Sequence, residues 1–470
     1  MTDLLDFPFA SRYGSDEMRA VWSDANKRRL WRRMWVALAE AQAQAGLVKP
    51  KQVADLKKHA GKLNTPRALA IEQEIGHDVM AEVKAFAEQC PVGGGVIHWG
   101  ATSADITDNA DVLRQKESLC LLRAKLAELL RVFAGQITEH RALACIAYTH
   151  LQPAEPTTVG YRLAMYAQDL LVHLATLDQL TSGPSAGSGL GLRGKGLKGA
   201  VGTQASYQEL LNGSGTTPAD LEAQVMTALD LAVFPIAAQT YPRAQDYRVL
   251  AALAGLAASL HKFAFDLRLL QSSGFAEMSE PFGEKQVGSS AMPFKRNPIN
   301  AEKICSLARY VAALPAVAWE NAAESLLERT LDDSANRRVI WPEAFLALDE
   351  MLETALKIMR GLNVDAEACA ANLEKHGPFA ATERVLMALV RGGADRQHMH
   401  EKLREHSLKA WSAIREGKPN PLTNSLASDT DLLRYLQPAR VRELMKAEGY
   451  LGTAVERASA LATEIKRILS

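Results

Sequence analysis

Between Val249 and Leu270, seven large apolar residues fall at intervals of 4-3-4-3-4-3: Val249, Leu253, Leu256, Leu260, Phe263, Leu267 and Leu270. That rhythm places one apolar stripe along a long helix and requires partner helices to cover it. Leu119, Leu122, Leu126, Leu129 and Phe133 repeat the pattern. A third helical run is read from Thr157 to Leu180, starting after Pro156, which also puts His150 near a helix start. Two more runs lie around 301–326 and 339–362, and alternating β-branched stretches are scarce. The expected fold is all-α, with three helical domains. Residues 1–101 form the first, ending beyond the glycine loop Pro91-Val92-Gly93-Gly94-Gly95. Residues 102–363 form a central bundle of long helices, and 364–470 a third part broken at 417–421. The seams look too long for one small domain to bury, so the central helices are expected to assemble with those of other chains.

Charge adds little. Lys plus Arg and Asp plus Glu each number 54, which favours neither nucleic acid nor an anionic membrane as a partner. Five dispersed cysteines lack any CxxC pair, so neither a disulfide framework nor a zinc site is expected. The first residues are acidic and lack the apolar run of a signal peptide. No apolar stretch approaches the ~18 residues of a membrane span. The cytoplasm is the expected compartment.

Two motifs point to chemistry that their context does not support. Gly189, Gly191 and Gly194 fit the dinucleotide fingerprint, and the stretch to Lys195 nearly matches a P-loop. The fingerprint works only after a strand, whereas here a leucine-rich helical run and a Ser/Gly link precede it. Gly196 stands where the P-loop needs Ser or Thr. A mobile glycine loop near a site is the expected reading. His398 and His400 point to different faces of a helix, so no metal is expected.

The strongest chemical signal is Gly288-Ser289-Ser290-Ala291-Met292-Pro293-Phe294-Lys295-Arg296-Asn297-Pro298. A hydroxyl-bearing loop there leads through two cations to a helix N-terminus, where backbone N–H groups attract anions. This segment resembles the signature of the fumarase/aspartase superfamily. Gly100-Ala101-Thr102-Ser103-Ala104-Asp105-Ile106-Thr107-Asp108-Asn109 and Thr149-His150-Leu151-Gln152-Pro153-Ala154 resemble two further superfamily segments. Ser11-Arg12-Tyr13, Gly76-His77-Asp78-Val79-Met80, Gln239-Thr240-Tyr241 and the run Glu328–Arg338 are similar to the adenylosuccinate lyase family within it. The resemblance runs from Ser11 to about His406 and is least distinctive towards the C-terminus.

That resemblance implies β-elimination of fumarate from adenylosuccinate and from SAICAR, without cofactor or metal. It implies homotetramers with active sites shared between subunits. By resemblance Ser289 is the general base and His150 the general acid, with Glu302 orienting His150. Lys295 and nearby backbone N–H groups would stabilise the Ser289 alkoxide, and Lys295 and Asn297 would bind the succinyl carboxylates, helped by Thr102 and Ser103. His77, Asp78 and Gln239 would also meet the substrate. Arg12, Tyr13, Lys303, Arg329, Ser334 and Arg338 would hold the nucleotide. An ion-pair network beside Asp332 and Asp333 is the structural alternative for the arginines. Three positions depart from common family patterns: Gly76 and Asn300 replace arginines, and Lys303 keeps a charge without the bidentate fork. Other readings are a sister lyase such as argininosuccinate lyase or fumarase, a non-catalytic protein on the same fold, and a nucleotide-binding regulator.

Overall fold

A computed structural model describes residues 7–182 and 191–470 of the chain. The fold is all-α, and strands are confined to two small two-stranded sheets among the described residues. Among the described residues six long helices dominate: Ser103–Glu139, Val159–Thr181, Ala244–Leu270, Ile299–Ala323, Asp332–Arg360 and Ala366–Arg391. Many helices start where the sequence supplies a cap. The Ser15 hydroxyl accepts from Met18 N, and Ser23 accepts from Asn26 N. Thr217 and Asp220 form a reciprocal capping box, and Asp365 and Asp395 cap two helices of the C-terminal region.

Both heptad seams are buried. Leu119, Leu122, Leu126, Leu129 and Phe133 have no exposure, and the seven residues from Val249 to Leu270 are at most 6% exposed. Burying each such side chain contributes roughly 1.5–3 kcal/mol. The stripes that were expected to need other chains are therefore covered within this one. A case for assembly must rest on other faces. Ala244–Leu270 is long and apolar enough by composition to cross a membrane, but its seam reads as the core stripe of a folded bundle.

The chain divides into two compact units built from interleaved stretches. The first takes Met1–Leu126, Val172–Ala258 and Ser306–Glu353. Its interior includes stacked Trp22, Phe345 and Trp341, with ring centroids 5.5 and 5.9 Å apart. It also buries Glu82 between Arg28 and Arg32, at 2.8 and 2.7 Å. The second takes Ala127–Leu171, Ser259–Cys305 and Thr354–Ser470. Phe263 meets Phe133 and Tyr166 edge-on there, each at 5.5 Å. A further core gathers Val385, Leu389, Leu403, Leu422, Leu432 and Val441.

One local expectation fails. Residues 144–158 form a hairpin, and the following helix starts at Val159. Strand β1 (Ala144–Thr149) pairs antiparallel with β2 (Gln152–Thr158), and Thr149 faces Gln152. Pro153 and Pro156 lack the N–H that a helix interior needs, yet they fit a two-stranded ribbon. His150 thus sits at a hairpin tip and not at a helix start.

Candidate active site

The first unit contains a cleft of 610 Å³. Its lining includes His77, Asp78, Thr102, Ser103, Gln239, Arg329, Ser334 and Arg338, eight of the residues expected to meet substrate. Three helices begin beside it, at Asp78, Ser103 and Asp332. Their N-terminal N–H groups make the cleft favourable to anions. His77 is the N-cap of Asp78–Gln89, and its Nδ1 accepts from Met80 N at 3.3 Å. That bond assigns the ring proton of a neutral His77 to Nε2. Gly76 explains its own departure from the family pattern. It ends the preceding helix with φ of +66°, a left-handed cap in which glycine avoids the cost that arginine would bear. The space around it is open.

The arginines are both ion-paired and placed at the cleft. Arg329 Nη1 donates to Asp333 Oδ1 at 2.8 Å, and Arg338 Nη2 to Asp78 Oδ2 at 2.8 Å. Each guanidinium has five donors, so neither pairing exhausts it. Gln239 is fixed by its own N–H to Glu328 O at 3.1 Å and by Nε2 to Ala200 O at 3.0 Å. Arg12 and Tyr13 do not line the cleft. Arg12 is exposed and lies 5.9 Å from the Tyr13 ring centre. The adjoining Gly14 and Ser15 are held by Glu350 and Asp349 at 3.1 and 2.7 Å.

Sequence reasoning passed over the charged floor of this cleft. Arg243 grips Asp108 with two bonds of 3.0 and 3.1 Å and Asp333 with one of 2.7 Å. Arg337 donates to Asp246 and to the Tyr241 hydroxyl, both at 2.8 Å. Burial opposes the Arg337 charge, but Asp246, Tyr241, Asp111 and Asp108 outweigh it and raise its pKa well above the usual value. Burial would likewise raise Asp333, yet Arg243, Arg337 and Arg329 hold its carboxyl below the usual range. The two adjacent arginines therefore divide the work: Arg337 braces the floor, and Arg338 is left at the surface. Only the phase of the Asp332–Arg360 helix relative to the cleft separates them.

The second unit carries the chemistry-bearing loops. His150 and Leu151 have φ of +53° and +58°. Two-residue turns of this kind normally use Asn-Gly. Holding two bulkier side chains there costs of order 1–3 kcal/mol each, the kind of strain found at functional positions. A buried bond set steadies the strand below. Arg162 donates to Ile146 O at 2.7 Å and to Glu277 at 2.6 Å, and Asn372 donates to Glu277 at 3.0 Å. The His150 side chain is exposed, with no hydrogen bond or ion pair among the described residues.

Ser289 Oγ accepts two backbone N–H groups, from Ala291 at 3.3 Å and Met292 at 3.1 Å. Lys295 is exposed on the same loop, and Asn297 donates to Gly288 O at 2.9 Å. Glu302 is exposed, 3.9 Å from Arg268, and no hydrogen bond or ion pair joins it to His150. Lys303 is half-buried one residue on. Asn300 is buried and spends its side chain on Glu280 at 2.9 Å, so here this departure serves the loop base.

The misleading motifs resolve in physical terms. Gly189 lies outside the described residues. From Gly191 onward backbone bonds hold the stretch, Leu192 N to Leu180 O at 3.0 Å and Gly194 N to Ala232 O at 2.7 Å. Lys195 is fully buried on Asp105 at 2.6 Å, unavailable to any phosphate. His398 and His400 are exposed to either side of buried Met399. Ligand atoms of Asp55, His59 and Cys90 do converge within 4.8 Å. However, Asp55 accepts from Val92 and Gly93 N–H at 2.8 Å, His59 Nδ1 lies 3.0 Å from Asp55 O, and burial pushes the Cys90 thiol up to about 11. The trio works as a lock on the glycine loop.

Comparison with known proteins adds an independent line. The family described as Lyase matches residues 11–312, and the family described as Adenylosuccinate lyase C-terminus matches 378–460. The adenylosuccinate lyase of Schistosoma mansoni is 39% identical over 465 residues, covering 96% of this chain and 95% of that one. The enzyme of the same name from Saccharomyces cerevisiae is 39% identical over 428 residues, covering 90% and 87%. That of Archaeoglobus fulgidus is 34% identical over 468 residues, covering 98% and 99%. Among solved structures, the 3-carboxy-cis,cis-muconate lactonizing enzyme of Pseudomonas putida superposes with a TM-score of 0.85 at 25% identity, covering 98% and 99%. The fumarate lyase of Mesorhizobium sp. BNC1 gives 0.83 at 24%, covering 98% and 99%. Proteins named a fumarate lyase and a lactonizing enzyme thus share this fold, and side chains must decide the chemistry.

Proposed function

Because this chain belongs to the adenylosuccinate lyase family, we propose that it releases fumarate by β-elimination with Ser289 as general base and His150 as general acid. Ser289 must take a carbon-bound proton beside a carboxylate. A serine oxygen does this only when its alkoxide is stabilised. The two N–H groups already aimed at Ser289 Oγ meet that need, and this observation carries the assignment. Lys295, on the same exposed loop, adds positive charge for the alkoxide and for the substrate carboxylate. The charge that builds on that carboxylate in the intermediate calls for preset donors, a role that Asn297 can share through its second amide hydrogen.

The departing adenine nitrogen needs a proton, and an unpartnered His150 at an exposed tip is suited to supply one. The cleft would hold the nucleotide, with Arg329, Arg338 and Ser334 on the phosphate and ribose side, and His77, Thr102, Ser103 and Gln239 around the rest. Arg12, Tyr13 and Lys303, none of which lines the cleft, are assigned to the nucleotide by the resemblance alone. The direct test is fumarate release. Purified protein should convert adenylosuccinate to AMP and SAICAR to AICAR, followed by ultraviolet absorbance. Turnover of argininosuccinate or malate in their place would overturn the substrate reading.

The proposed assembly is a homotetramer with shared sites, placed in the cytoplasm. Its support is a second line on the Ala244–Leu270 helix, opposite the buried seam. Tyr247, Ala251, Ala254, Ala258, His261, Phe265 and Arg268 repeat the 4-3 spacing and are half-buried or exposed. Phe265 is 56% exposed, and the alanines would let another helix approach closely. Glu302 and His150, which share no hydrogen bond or ion pair within one chain, would then pair between chains. Subunit exchange tests this. Mixing inactive Ser289→Ala and His150→Gln tetramers should restore roughly a quarter of wild-type activity if acid and base come from different chains. Mass-verified hybrids without activity would refute shared sites.

A further inference from the structure

The signature loop leaves the fold after Glu280 and returns at Asn300, and it is mostly exposed between Gly283 and Arg296. A loop this long cannot hold a catalytic hydroxyl in place without anchors, because its ends alone restrict its middle weakly. We propose that Glu280 and Gln271 clamp the two stems of the loop, and that Glu280 is a positioning residue for Ser289; this rests on the reading of Ser289 as the base.

Glu280 is 3% exposed. Its Oε1 accepts from Asn300 N at 3.2 Å and Asn300 Nδ2 at 2.9 Å, and its Oε2 from Asn300 N at 3.1 Å and Ala301 N at 2.9 Å. Those N–H groups open the Ile299–Ala323 helix, so the carboxylate occupies its positive end. Gln271 makes the second tie. Its Oε1 accepts from Glu280 N at 3.1 Å, and its Nε2 donates to Arg296 O at 3.0 Å. One side chain therefore holds the outgoing stem and the returning stem together.

Fixed contacts continue inward. Asn297 donates across the loop to Gly288 O at 2.9 Å. The Gly288 backbone lies so close to Lys295 that a Cβ there would stand 1.9 Å from Lys295 O. Any side chain at 288 would force these strands of the loop apart. Ser289 follows directly, with Oγ held by two N–H groups. The line from Glu280 through Asn300, Asn297 and Gly288 to Ser289 thus consists of short polar or backbone contacts and covalent steps. Glu280 touches no reacting group; it sets where the loop is rooted.

The test compares Glu280→Gln with Glu280→Ala, and Gln271→Ala as a milder variant. Glutamine retains one acceptor oxygen, so the loss should be larger for alanine. In Glu280→Ala, kcat should fall about tenfold or more, with KM for adenylosuccinate within about threefold. Hydrogen exchange in the intact protein should quicken at residues 283–296 and stay unchanged elsewhere in the second unit. In a Ser289→Ala background, Glu280→Ala should cost little further activity, because it acts through Ser289. Wild-type kcat in all three variants would overturn the proposal. So would an equal further loss in the Ser289→Ala background, or exchange that quickens throughout the unit. A Ser289→Ala protein with normal turnover would instead refute the base assignment, and loop exchange would still decide the clamp.

Discussion

Ser289→Ala and His150→Gln should each lower kcat by about 10²–10⁴, the usual scale for removing a general base or acid. Both proteins should fold normally. Ser289 lies on an exposed loop, and alanine opens no cavity there. His150 is exposed at the hairpin tip, and glutamine keeps the polar side chain while losing the proton-transfer group. Steady-state fumarate release measures kcat, and circular dichroism with thermal melting checks the fold. Near-normal turnover in Ser289→Ala would remove Ser289 from the base role. For His150→Gln, the diagnostic is the leaving group. A substrate whose amine departs without protonation should lose less rate than adenylosuccinate does, and equal losses would count against His150 as the acid.

Lys195→Met should destabilise the first unit by about 3–5 kcal/mol, the cost of leaving a buried charge without its partner. Lys195 and Asp105 are both fully buried, 2.6 Å apart. Lys195 also donates to Gly199 O at 2.8 Å. Asp105 holds this stretch to the first turn of the Ser103–Glu139 helix, accepting in addition from Lys198 N, Gly199 N and the Tyr207 hydroxyl at 3.0–3.2 Å. Methionine keeps the length of the lysine stem without the terminal ammonium, so Asp105 is stranded. Thr102 and Ser103 begin the same helix and line the cleft, so AMP affinity should fall along with stability. Urea denaturation should show the first transition at lower denaturant. Adding Asp105→Asn in the same chain should recover part of the loss, since a neutral amide needs no counter-charge. An unchanged midpoint in Lys195→Met would overturn the structural role and reopen the phosphate reading of the glycine stretch.

Much of the candidate site was legible in residue order because its segments are contiguous. The signature around Ser289, the His150 segment and the Glu328–Arg338 run each carry their chemistry within about ten residues. What could not be read was pairing across long separations. Lys195 meets Asp105 across 90 positions, and Arg243 meets Asp108 across 135. Nothing local in a lysine after glycines distinguishes a phosphate ligand from a buried strut.

The sequence by itself determined the helical class, the two buried seams and eight of the residues that line the cleft. Heptad spacing dictates one apolar face per long helix, and that face must be buried somewhere. Only the tertiary structure decided where. It filled the seams from within the chain and left the alanine line with Tyr247 and Phe265 outward. It turned the segment around His150 into a strained hairpin, because Pro153 and Pro156 block a helix and the partner strand supplies the hydrogen bonds. It also separated Arg337 from Arg338, one neutralised in the floor and one at the surface. Periodicity fixes which residues share a face, but desolvation and ion pairing depend on which elements meet, and that is settled only when the chain packs.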